Sequence, residues 1–469
     1  MMSPPAGAIA STLPDGLLLS YYGDDFTGST DAMEALAAAG VPTVLCLDTP
    51  TPALLARFPQ VRCVGLAGSS RGRSTAWMDD VLPGAFASLA ALGAPVLQYK
   101  VCSTFDSSPA VGSIGHAIDL GVQAMRGRWS PMIVGAPRLR RFQMFGNLFA
   151  VANGTGYRLD RHPTMSRHPV TPMHEADLRL HLGHQTARRI ELVDMLQLLD
   201  GTASAAVAGA ESVTTEPPVV LIDVLDDDTL VAAGQLVWER RGTGIFSASS
   251  SGLQYALVAY WRSRGWLARQ ATLASAPPVD VIAAVSGSCS PVTAAQIGWA
   301  RAHGFCVERL DLSGVFGDAG GEAEIERAVG VATAALRSGR SAIVYSAEGP
   351  DDPAVLGFDA LAATAQLSRH DAARAVGRAL AEVMRRLLDR IDLQRVVVAG
   401  GDSSGEVVST LEIDALSVAA GLTPGAPLCR AWSGNVRRDG LEIVLKGGQM
   451  GAPTLFGDVL QGREAARTA

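Results

Sequence analysis

Two neighbouring carboxylates, Asp24 and Asp25, with Thr27 close behind, form the first group of side chains that suits catalysis or ligand binding. The apolar run at 17–21 predicts a buried strand before them, and residues 32–39 have a helical pattern. The group therefore stands at the carboxyl end of a predicted parallel strand, where open α/β sheets bind their ligands. One Asp or Thr27 would be enough to cap the helix. Because a cap leaves the other polar residues unexplained, the pattern favours a ligand site.

A second polar group follows another predicted strand, which ends at Lys100. Ser103, Thr104 and Asp106 come directly after it. This set suits a polyhydroxylated anion, because the ammonium group binds a carboxylate while the hydroxyl groups and Asp106 bind the ligand's hydroxyl groups. The structural alternative is a serine-rich turn in which Asp106 caps a helix that begins near residue 110.

Two arginines lie after other predicted strands. Arg71 follows the apolar run at 61–66, and Arg141 lies in the cationic segment 137–146. The guanidinium fork matches a carboxylate or a phosphate group. A solvated basic loop is the plainer interpretation of 137–146, and a clamp for an anion is the alternative.

The cysteines and histidines do not have the spacing of a metal site. The six cysteines are scattered, and Cys102 has no neighbouring histidine in the sequence that would activate it as a nucleophile. Five histidines lie within 162–184, and His181 and His184 are three residues apart. Without a HExxH motif or a Cys/His cluster, this stretch does not predict metal binding.

Three strands predicted in the second half end in small polar or glycine-rich turns. These turns are Ser286-Gly287-Ser288, Gly400-Gly401-Asp402-Ser403 and Lys446-Gly447-Gly448. The first precedes a helix predicted at 291–302, with Ser290 as its cap, and the second is expected to extend over 400–406 before another helix. Helix N-termini and close backbone approach at glycine favour a phosphate group, and Asp402 suits magnesium or a ribose hydroxyl group.

Together the three turns predict a nucleotide-phosphate site, with three ordinary tight turns as the alternative. Neither a GxxxxGK[ST] nor a GxGxxG motif is present, which disfavours a P-loop enzyme and a standard dinucleotide enzyme.

Composition narrows the class of protein. The 469 residues are 48% hydrophobic and 18% charged, which is typical of a globular protein with two or three domains. The net charge of −7 argues against nucleic acid as a partner. Because no apolar run approaches the length of a membrane span, we expect no membrane association and a cytoplasmic location.

The order of strands and helices predicts the fold class. Short strands alternate with helices throughout, which favours parallel sheets with right-handed crossovers. The Ala/Ser/Pro-rich stretch at 269–278 reads as a link, so we expect domains at 1–270 and 271–469. The predicted fold is therefore α/β, with two domains that each contain a mainly parallel sheet flanked by helices.

Taken together, the motifs resemble those of the four-carbon acid sugar kinase family, from Gly23 to about Gly457. The resemblance is carried by Asp24-Asp25-Phe26-Thr27-Gly28, Ser286-Gly287-Ser288, Gly400-Gly401-Asp402-Ser403 and Lys446-Gly447-Gly448-Gln449-Met450-Gly451. It implies an N-terminal acid-sugar domain and a C-terminal ATP domain, with the active site in the cleft between them.

Within that family, 102–107 and 168–173 resemble the 3-oxo-tetronate kinase branch. Threonate and erythronate kinases usually have Asp-Ser-Thr-Leu-Arg-Gly at the first of these places, so they are the alternative. The usual Gly-Arg-Thr-x-x-Asn-Gly segment keeps Arg141 here but has Phe142 and Phe145 where Thr and Asn are usual. If this segment contacts the substrate, the pocket has changed shape, and branched 3-oxo-isoapionate stands beside linear 3-oxo-tetronate.

The resemblance implies transfer of the γ-phosphoryl group of ATP to a terminal hydroxyl group, with Mg²⁺ bridging the phosphates. Asp24 or Asp25 would accept the hydroxyl proton. The residues expected to bind the acid sugar are Thr27, Arg71, Lys100, Ser103, Thr104, Asp106 and Arg141. The residues expected to bind the nucleotide are Ser286, Ser288, Gly400, Gly401, Asp402, Ser403, Lys446 and Gly448.

Two other classes of function compete with this interpretation. A dehydrogenase with an atypical dinucleotide site would oxidise or reduce a sugar acid with a nicotinamide cofactor. A non-catalytic sensor would bind a sugar acid or nucleotide without consuming ATP. A homodimer is compatible with the sequence, which does not determine the oligomeric state.

Overall fold

A computed structural model of the chain describes residues 12–152, 154–168, 170–269, 273–317 and 321–463. Its contacts divide the chain into two units. The first unit comprises Met1–Asp24, Ala35–Thr43 and Leu55–Ala271, and the second comprises Asp25–Glu34, Val44–Leu54 and Thr272–Ala469. The boundary expected after residue 270 falls within 270–272, which lie outside the described residues.

The secondary structure alternates along most of the chain. The strands are β1 (Leu19–Gly23), β2 (Thr43–Cys46), β3 (Cys63–Ala67), β4 (Val96–Lys100), β5 (Ser130–Met132), β6 (Arg141–Met144), β7 (Asn147–Ala152), β8 (Thr155–Arg158), β9 (Ile190–Val193), β10 (Val219–Ile222), β11 (Ile245–Ser249), β12 (Ala283–Ser286), β13 (Cys306–Arg309), β14 (Ala342–Tyr345), β15 (Arg395–Ala399), β16 (Ala415–Thr423), β17 (Ala426–Trp432) and β18 (Glu442–Lys446). The helices are α1 (Phe26–Ala37), α2 (Pro52–Leu55), α3 (Thr75–Ala90), α4 (Ile114–Gly121), α5 (Leu178–Gly183), α6 (Met195–Leu199), α7 (Ala203–Ser212), α8 (Asp227–Glu239), α9 (Gly252–Ser263), α10 (Pro291–Ala302), α11 (Leu312–Val315), α12 (Glu322–Arg337), α13 (Pro353–Leu356), α14 (Phe358–Thr364), α15 (Arg369–Arg390), α16 (Gly401–Thr410) and α17 (Leu455–Gln461).

The first unit contains two parallel sheets and one antiparallel sheet. Strands β3, β1, β4 and β11 lie side by side in that order, all parallel. Strands β5, β10 and β9 form the second parallel sheet, and β6, β7 and β8 form the antiparallel one. Gly23 of β1 and Ser249 of β11 both lie opposite Lys100 of β4, so these three strands end at the same level. Polar residues that follow them are therefore brought to one edge of the sheet.

Serine side chains join β5 to β11. Ser247 Oγ donates to the Pro131 carbonyl group at 2.8 Å, and the Ile133 N–H group donates to Ser249 Oγ at 2.8 Å. These residues lie in the core, where an unpaired backbone group would be costly. The hydroxyl groups therefore replace a continuous backbone ladder between the two sheets.

The second unit contains one mixed sheet. Strands β18, β15, β12, β14 and β13 are parallel and adjacent in that order. The antiparallel strands β17, β16 and β2 continue the sheet beyond β18. The predicted α/β class, with mainly parallel sheets flanked by helices, is confirmed, whereas the antiparallel β16–β17 pair had no counterpart in the sequence analysis.

Three local predictions are wrong. The helix expected near residue 110 begins at Ile114, and its cap is Ser113, whose Oγ accepts the His116 N–H group. The segment 137–146 is not a loop throughout, because β6 pairs with β7. The turn expected over 400–406 is short, since α16 already begins at Gly401.

None of the helices in the described part of the chain combines the length and apolarity that a membrane crossing requires.

Candidate functional site

Asp24 joins the ends of three strands in the first unit. The residue is only 2% exposed, and the Arg71 guanidinium group binds its carboxylate with Nη2 at 2.7 Å from Oδ1 and Nε at 3.1 Å from Oδ2. The Asp24 N–H group donates to the Lys100 carbonyl group at 3.0 Å, and the Arg71 N–H group donates to the Asp24 carbonyl group at 3.0 Å. Asp24 thus fixes Arg71 beside the end of β4.

Asp25 has different partners, although it is the next residue. Its Oδ1 accepts the Gly28 N–H group at 2.9 Å, and its Oδ2 accepts the Thr27 hydroxyl group at 2.9 Å. Asp25 therefore caps α1. It is half-buried, and it belongs with Thr27 to the second unit. There Thr27 Oγ1 lies 4.0 Å from the position of a Cβ atom built on Gly447, so this helix terminus is beside the turn after β18.

The loop at 102–108, which follows β4, brings together three of the polar side chains noted in the sequence. Thr104 Oγ1 donates to Asp106 Oδ1 at 2.6 Å and lies 2.9 Å from Cys102 Sγ. Ser103 is half-buried in the same loop. Burial, with a smaller contribution from Asp106, raises the pKa of Cys102 to about 11. The thiol is therefore protonated at neutral pH, which agrees with the absence of a nucleophile signal in the sequence.

Arg141 is a partly buried cation without a carboxylate partner among the described residues. Its Nη1 donates only to the carbonyl groups of Leu139 and Arg140, at 3.0 and 3.2 Å, and its Nε is buried without a hydrogen bond. Burial lowers the pKa of Arg141, and the nearby Cys102 and Asp106 act in the opposite direction. A guanidinium group that has lost water and gained no counter-ion is suited to bind an anion.

Backbone strain concentrates in the same two segments. Among the described non-glycine residues of the first unit, those with left-handed φ are Phe105 (+59°), Arg140 (+57°) and Phe145 (+50°). All three lie in the 102–108 loop or in 137–146. Such conformations cost about 1–3 kcal/mol each and persist only where the surroundings impose them.

Asp223 imposes one of these conformations. It was not among the site residues predicted from the sequence. It is fully buried at the end of β10 and accepts the N–H groups of Phe145 at 2.5 Å and Gly146 at 3.0 Å. Burial raises the pKa of Asp223, and these hydrogen bonds oppose the rise. The signal available in the sequence was a carboxylate directly after the apolar run at 219–222.

Three turns of the second unit converge at the carboxyl ends of neighbouring strands. Ser286 of β12 lies opposite Ala399 of β15, and Ala399 lies opposite Lys446 of β18. The Gly287 N–H group donates to the Ala399 carbonyl group at 3.0 Å, and the Gly400 N–H group donates to the Lys446 carbonyl group at 2.9 Å. We call Ser286–Ser288, Gly400–Ser403 and Lys446–Gly448 together the three-turn site.

Glycine permits the closest approaches within this site. A Cβ atom on Gly287 would lie 2.2 Å from Ser403 Oγ, and one on Gly448 would lie 3.0 Å from Ser288 Oγ. Gly400 has φ +129°, which L side chains rarely adopt. Gly401 begins α16, with Ser403 in its first turn. Helix N-terminal N–H groups at close range are suited to bind phosphate oxygens.

Lys446 is fully buried at the three-turn site. Its Nζ donates to Thr293 Oγ1 at 2.7 Å, and no ion pair joins it to any carboxylate in the part of the chain that the structure describes. Burial lowers the pKa of Lys446 to about 8. Lys446 lies near the N-termini of α10 and α16. A polyphosphate bound at this place would balance its positive charge.

Thr293 holds the three-turn site together and was also missed. Besides accepting from Lys446, its hydroxyl group donates to the Gly448 carbonyl group at 3.1 Å and lies 2.9 Å from Ser288 Oγ. Ser290 Oγ donates to the same carbonyl group at 2.6 Å and caps α10, as predicted. The signal for Thr293 was a hydroxyl residue in the first turn of a helix that follows a predicted phosphate turn.

The histidines have structural partners. His162 Nδ1 accepts the N–H groups of Thr164 and Met165, both at 3.2 Å, and His168 Nδ1 accepts that of Thr171 at 3.1 Å. In residues 12–463, apart from those the structure leaves undescribed, no group of three or more His, Cys, Asp or Glu side chains is placed to hold a metal ion. Pro169, within the predicted 168–173 motif, lies outside the described residues.

The second unit has a phosphate-type site at the edge of its parallel strands, and the first unit has cations and hydroxyl groups suited to a small acid; this combination is typical of a small-molecule kinase. Comparison with known proteins agrees. The chain matches the models of a sugar-binding N-terminal domain over residues 19–257 and a nucleotide-binding C-terminal domain over residues 283–456.

Among curated proteins, it is 72% identical to 3-oxo-isoapionate kinase of Paraburkholderia graminis, over 98% of each chain. It is 30% identical to 3-oxo-tetronate kinase of Methylobacterium radiotolerans, over 95% of this chain and 99% of that one. A crystal structure of a Haemophilus influenzae protein has the same fold, with a TM-score of 0.71 and 22% identity over 94% of this chain and 98% of that one.

The chain therefore belongs to the four-carbon acid sugar kinase family, in the branch of the 3-oxo-tetronate and 3-oxo-isoapionate kinases. It is an ATP-dependent kinase of acid sugars, as its motifs predicted.

Proposed function

We propose that this chain phosphorylates the terminal hydroxyl group of 3-oxo-isoapionate, a branched 3-oxo sugar acid. The observation that carries this choice is the 72% identity to a 3-oxo-isoapionate kinase over 98% of both chains. Linear 3-oxo-tetronate is the second candidate, because the relatives named for it align along nearly the whole chain at 26–30% identity.

The acid sugar is assigned to the domain at 1–270. Arg141 is the primary partner for its carboxylate, since that guanidinium group is partly buried without a counter-ion. Arg71 and Lys100 add positive charge near the ends of β3 and β4. The side chains proposed to bind the hydroxyl groups of the acid sugar are Thr27, Ser103, Thr104 and Asp106.

ATP is assigned to the domain at 271–469, at the three-turn site. Lys446 supplies the positive charge for a phosphate group, and its burial without a carboxylate partner supports that role. The remaining residues proposed to line the nucleotide are Ser286, Ser288, Gly400, Gly401, Asp402, Ser403 and Gly448. The side chain of Asp402 lies outside the described part of the structure, so its role rests on the sequence.

Asp25 is our candidate for the proton acceptor. Both oxygens of Asp24 are held by Arg71 and the residue is 2% exposed, whereas Asp25 is half-buried at the start of α1, close to the turn that follows β18. The substrate hydroxyl oxygen attacks the γ-phosphorus, the bond to the β-phosphate oxygen breaks, and ADP leaves while the hydroxyl proton passes to Asp25.

Mg²⁺ fits this assignment without a protein cage. In kinases it is bound mainly by phosphate oxygens and water, with only one or two carboxylates. Asp402 is the carboxylate that would hold it here, an assignment from its place in the sequence, and Mg²⁺ would neutralise charge on the phosphates.

The test is release of ADP from ATP and Mg²⁺ by the full chain, across 3-oxo-isoapionate, 3-oxo-tetronate, threonate and erythronate. We expect the highest kcat/KM with 3-oxo-isoapionate. A higher value with 3-oxo-tetronate, threonate or erythronate would contradict the assignment of 3-oxo-isoapionate as the substrate. Binding of ATP without turnover of any acid would favour a non-catalytic sensor. Sedimentation velocity on the same sample checks the homodimer that the sequence allows.

A further inference from the structure

The Ser107 hydroxyl group joins the 102–108 loop to α5 and to the residues directly after that helix; we call this contact the junction. Ser107 Oγ donates to the Phe105 carbonyl group at 2.9 Å. It also lies 3.1 Å from His181 Nε2 and accepts from Gln185 Nε2 at 2.9 Å. The loop is therefore tied to two side chains that lie more than 70 residues further along the chain.

The orientation of Gln185 is fixed by α4. Gln185 Oε1 accepts the N–H groups of Ile114 at 2.8 Å and Gly115 at 3.2 Å, which lie in the first turn of that helix. Because two N–H groups require an oxygen at this place, the amide nitrogen must be the atom that faces Ser107.

This geometry determines which ring nitrogen of His181 carries a proton. A serine hydroxyl group has one proton, and the Phe105 carbonyl group, which can only accept, takes it. Gln185 already donates to the Ser107 oxygen. His181 Nε2 must therefore also donate, which requires the Nε2–H form of the ring.

The junction holds the residue on which the loop depends. Phe105 is fully buried, has φ +59°, and lies between Thr104 and Asp106. The ring of His181 contacts that of Phe105 edge to face, with the centroids 5.8 Å apart. Without the bond from Ser107, nothing else among the hydrogen bonds of the described residues restrains the Phe105 carbonyl group.

The surroundings favour the neutral form of the His181 ring. Burial lowers the pKa of His181, a bond to the Ser107 backbone opposes this, His184 lowers it further, and Glu175 raises it.

We infer that His181 is a positioning residue of the acid-sugar site. It donates through Nε2 to Ser107, and Ser107 holds Phe105 in the left-handed conformation that sets Thr104 and Asp106. This inference rests on the proposed function, in which the 102–108 loop binds the acid sugar. It also gives a role to one of the histidines that the sequence left without one.

The experiment compares His181→Gln with His181→Asn in the full chain. The amide nitrogen of Gln reaches about as far as Nε2, whereas that of Asn reaches only about as far as Nδ1. We expect His181→Asn to raise KM for the acid sugar about tenfold, the effect of one lost hydrogen bond, while KM for ATP is unchanged. In His181→Gln the KM for the acid sugar should stay close to that of the wild type, because the amide nitrogen can still donate to Ser107. His184→Asn, an exposed neighbour on the same segment, is the matched control and should behave as wild type.

A second measurement is independent of activity. The ¹⁵N spectrum of histidine-labelled protein should show His181 as the Nε2–H tautomer. The His181 signal is identified because it disappears in His181→Gln. An Nδ1–H tautomer, or equal KM values for Gln, Asn and wild type in an active enzyme, would overturn the inference. Wild-type protein that binds ATP but phosphorylates no acid would instead contradict the proposed function.

Discussion

The two candidate binding regions are built in different ways. In the second unit, Ser286, Ala399 and Lys446 end three neighbouring strands in register, so the pairing of the strands brings their turns to one edge before any side chain contributes. In the first unit, the 102–108 loop and 137–146 are held by side chains from elsewhere in the chain, among them Asp223.

This difference matches the two ligands. A polyphosphate offers repeated, equivalent oxygens that backbone N–H groups and one cation can bind. An acid sugar offers a distinct pattern of hydroxyl groups and one carboxylate, which only placed side chains can distinguish. A region held by side chains can also change its ligand by a few substitutions while the sheet beneath it is kept.

The largest effect is expected for Asp25→Asn, which should separate the chemical step from the binding of ATP. If Asp25 accepts the proton, kcat should fall by a factor of about 10²–10⁴ while the Kd for ATP stays within about twofold. Single-turnover ADP release and equilibrium titration measure the two quantities.

Asp24→Asn is the companion variant. It should mainly raise KM for the acid sugar, because Asp24 acts by fixing Arg71. A similar loss of kcat in Asp24→Asn, with Asp25→Asn near wild type, would reverse the two roles.

The second prediction concerns Lys446→Met, which removes the charge and keeps most of the volume. KM for ATP should rise about 10–100-fold, as expected for a lost charge-assisted hydrogen bond, and KM for the acid sugar should change little. Thr293→Val, which removes the partner of Lys446, should give a smaller rise, and Thr293→Ser should restore it. An unchanged KM for ATP in Lys446→Met would remove this lysine from the nucleotide site.

The third prediction concerns the first unit, where a substitution should weaken binding of the acid sugar and leave binding of ATP unchanged. Arg141→Met should raise KM for the acid sugar about tenfold or more and spare ATP. Arg138→Met is the matched control: it removes an exposed arginine of the same segment, whose guanidinium group lies over the Tyr255 ring. Equal effects of the two substitutions would mean that general positive charge, and not the Arg141 site, attracts the acid.

The fourth prediction is a pH dependence confined to ATP. Burial lowers the pKa of Lys446 to about 8, and ATP favours the protonated form. The affinity for ATP should therefore be constant well below that pH and fall several-fold about one unit above it. Lys446→Met should lack this decrease, and its persistence in that variant would assign the titration to another group.

The smallest expected effect is on stability. The pKa of Lys446 in the folded protein, about 8, is below its ordinary value of 10.5. Between these values the unfolded chain binds more protons, so the free energy of unfolding of the ligand-free protein should increase with pH across that window. Lys446→Met should raise Tm at neutral pH, where the wild type carries a buried charge. A lower Tm there would show that the bond to Thr293 outweighs the cost of burial.

Local patterns in the sequence predicted part of this molecule well. Helix α10 occupies Pro291–Ala302 with Ser290 as its cap, because the capping residue, the proline and the apolar spacing are all local signals. The α/β class followed from the alternation of strands and helices. The start of α16 was misplaced because glycine is a poor helix former, yet the helix begins at Gly401.

The rest depends on contacts that a local pattern does not contain. Asp223 binds backbone 77–78 residues away, and Thr293 binds Lys446 across 153 residues. In the structural alternative, Asp106 would cap the next helix, but that helix begins later and Gln185 binds its first N–H groups. Each missed residue is polar and ordinary in its own stretch, and it acquires its role only when the strands are placed side by side.

The division of the chain has a consequence for how it folds. Segments Asp25–Glu34 and Val44–Leu54 are synthesised early, yet they belong to the unit whose other residues begin at Thr272. More than two hundred further residues must be synthesised before their partners emerge from the ribosome. We therefore expect that the N-terminal part of the chain does not complete its folding independently of the rest. A chain cut at residue 271 would carry both segments without the surface that they cover.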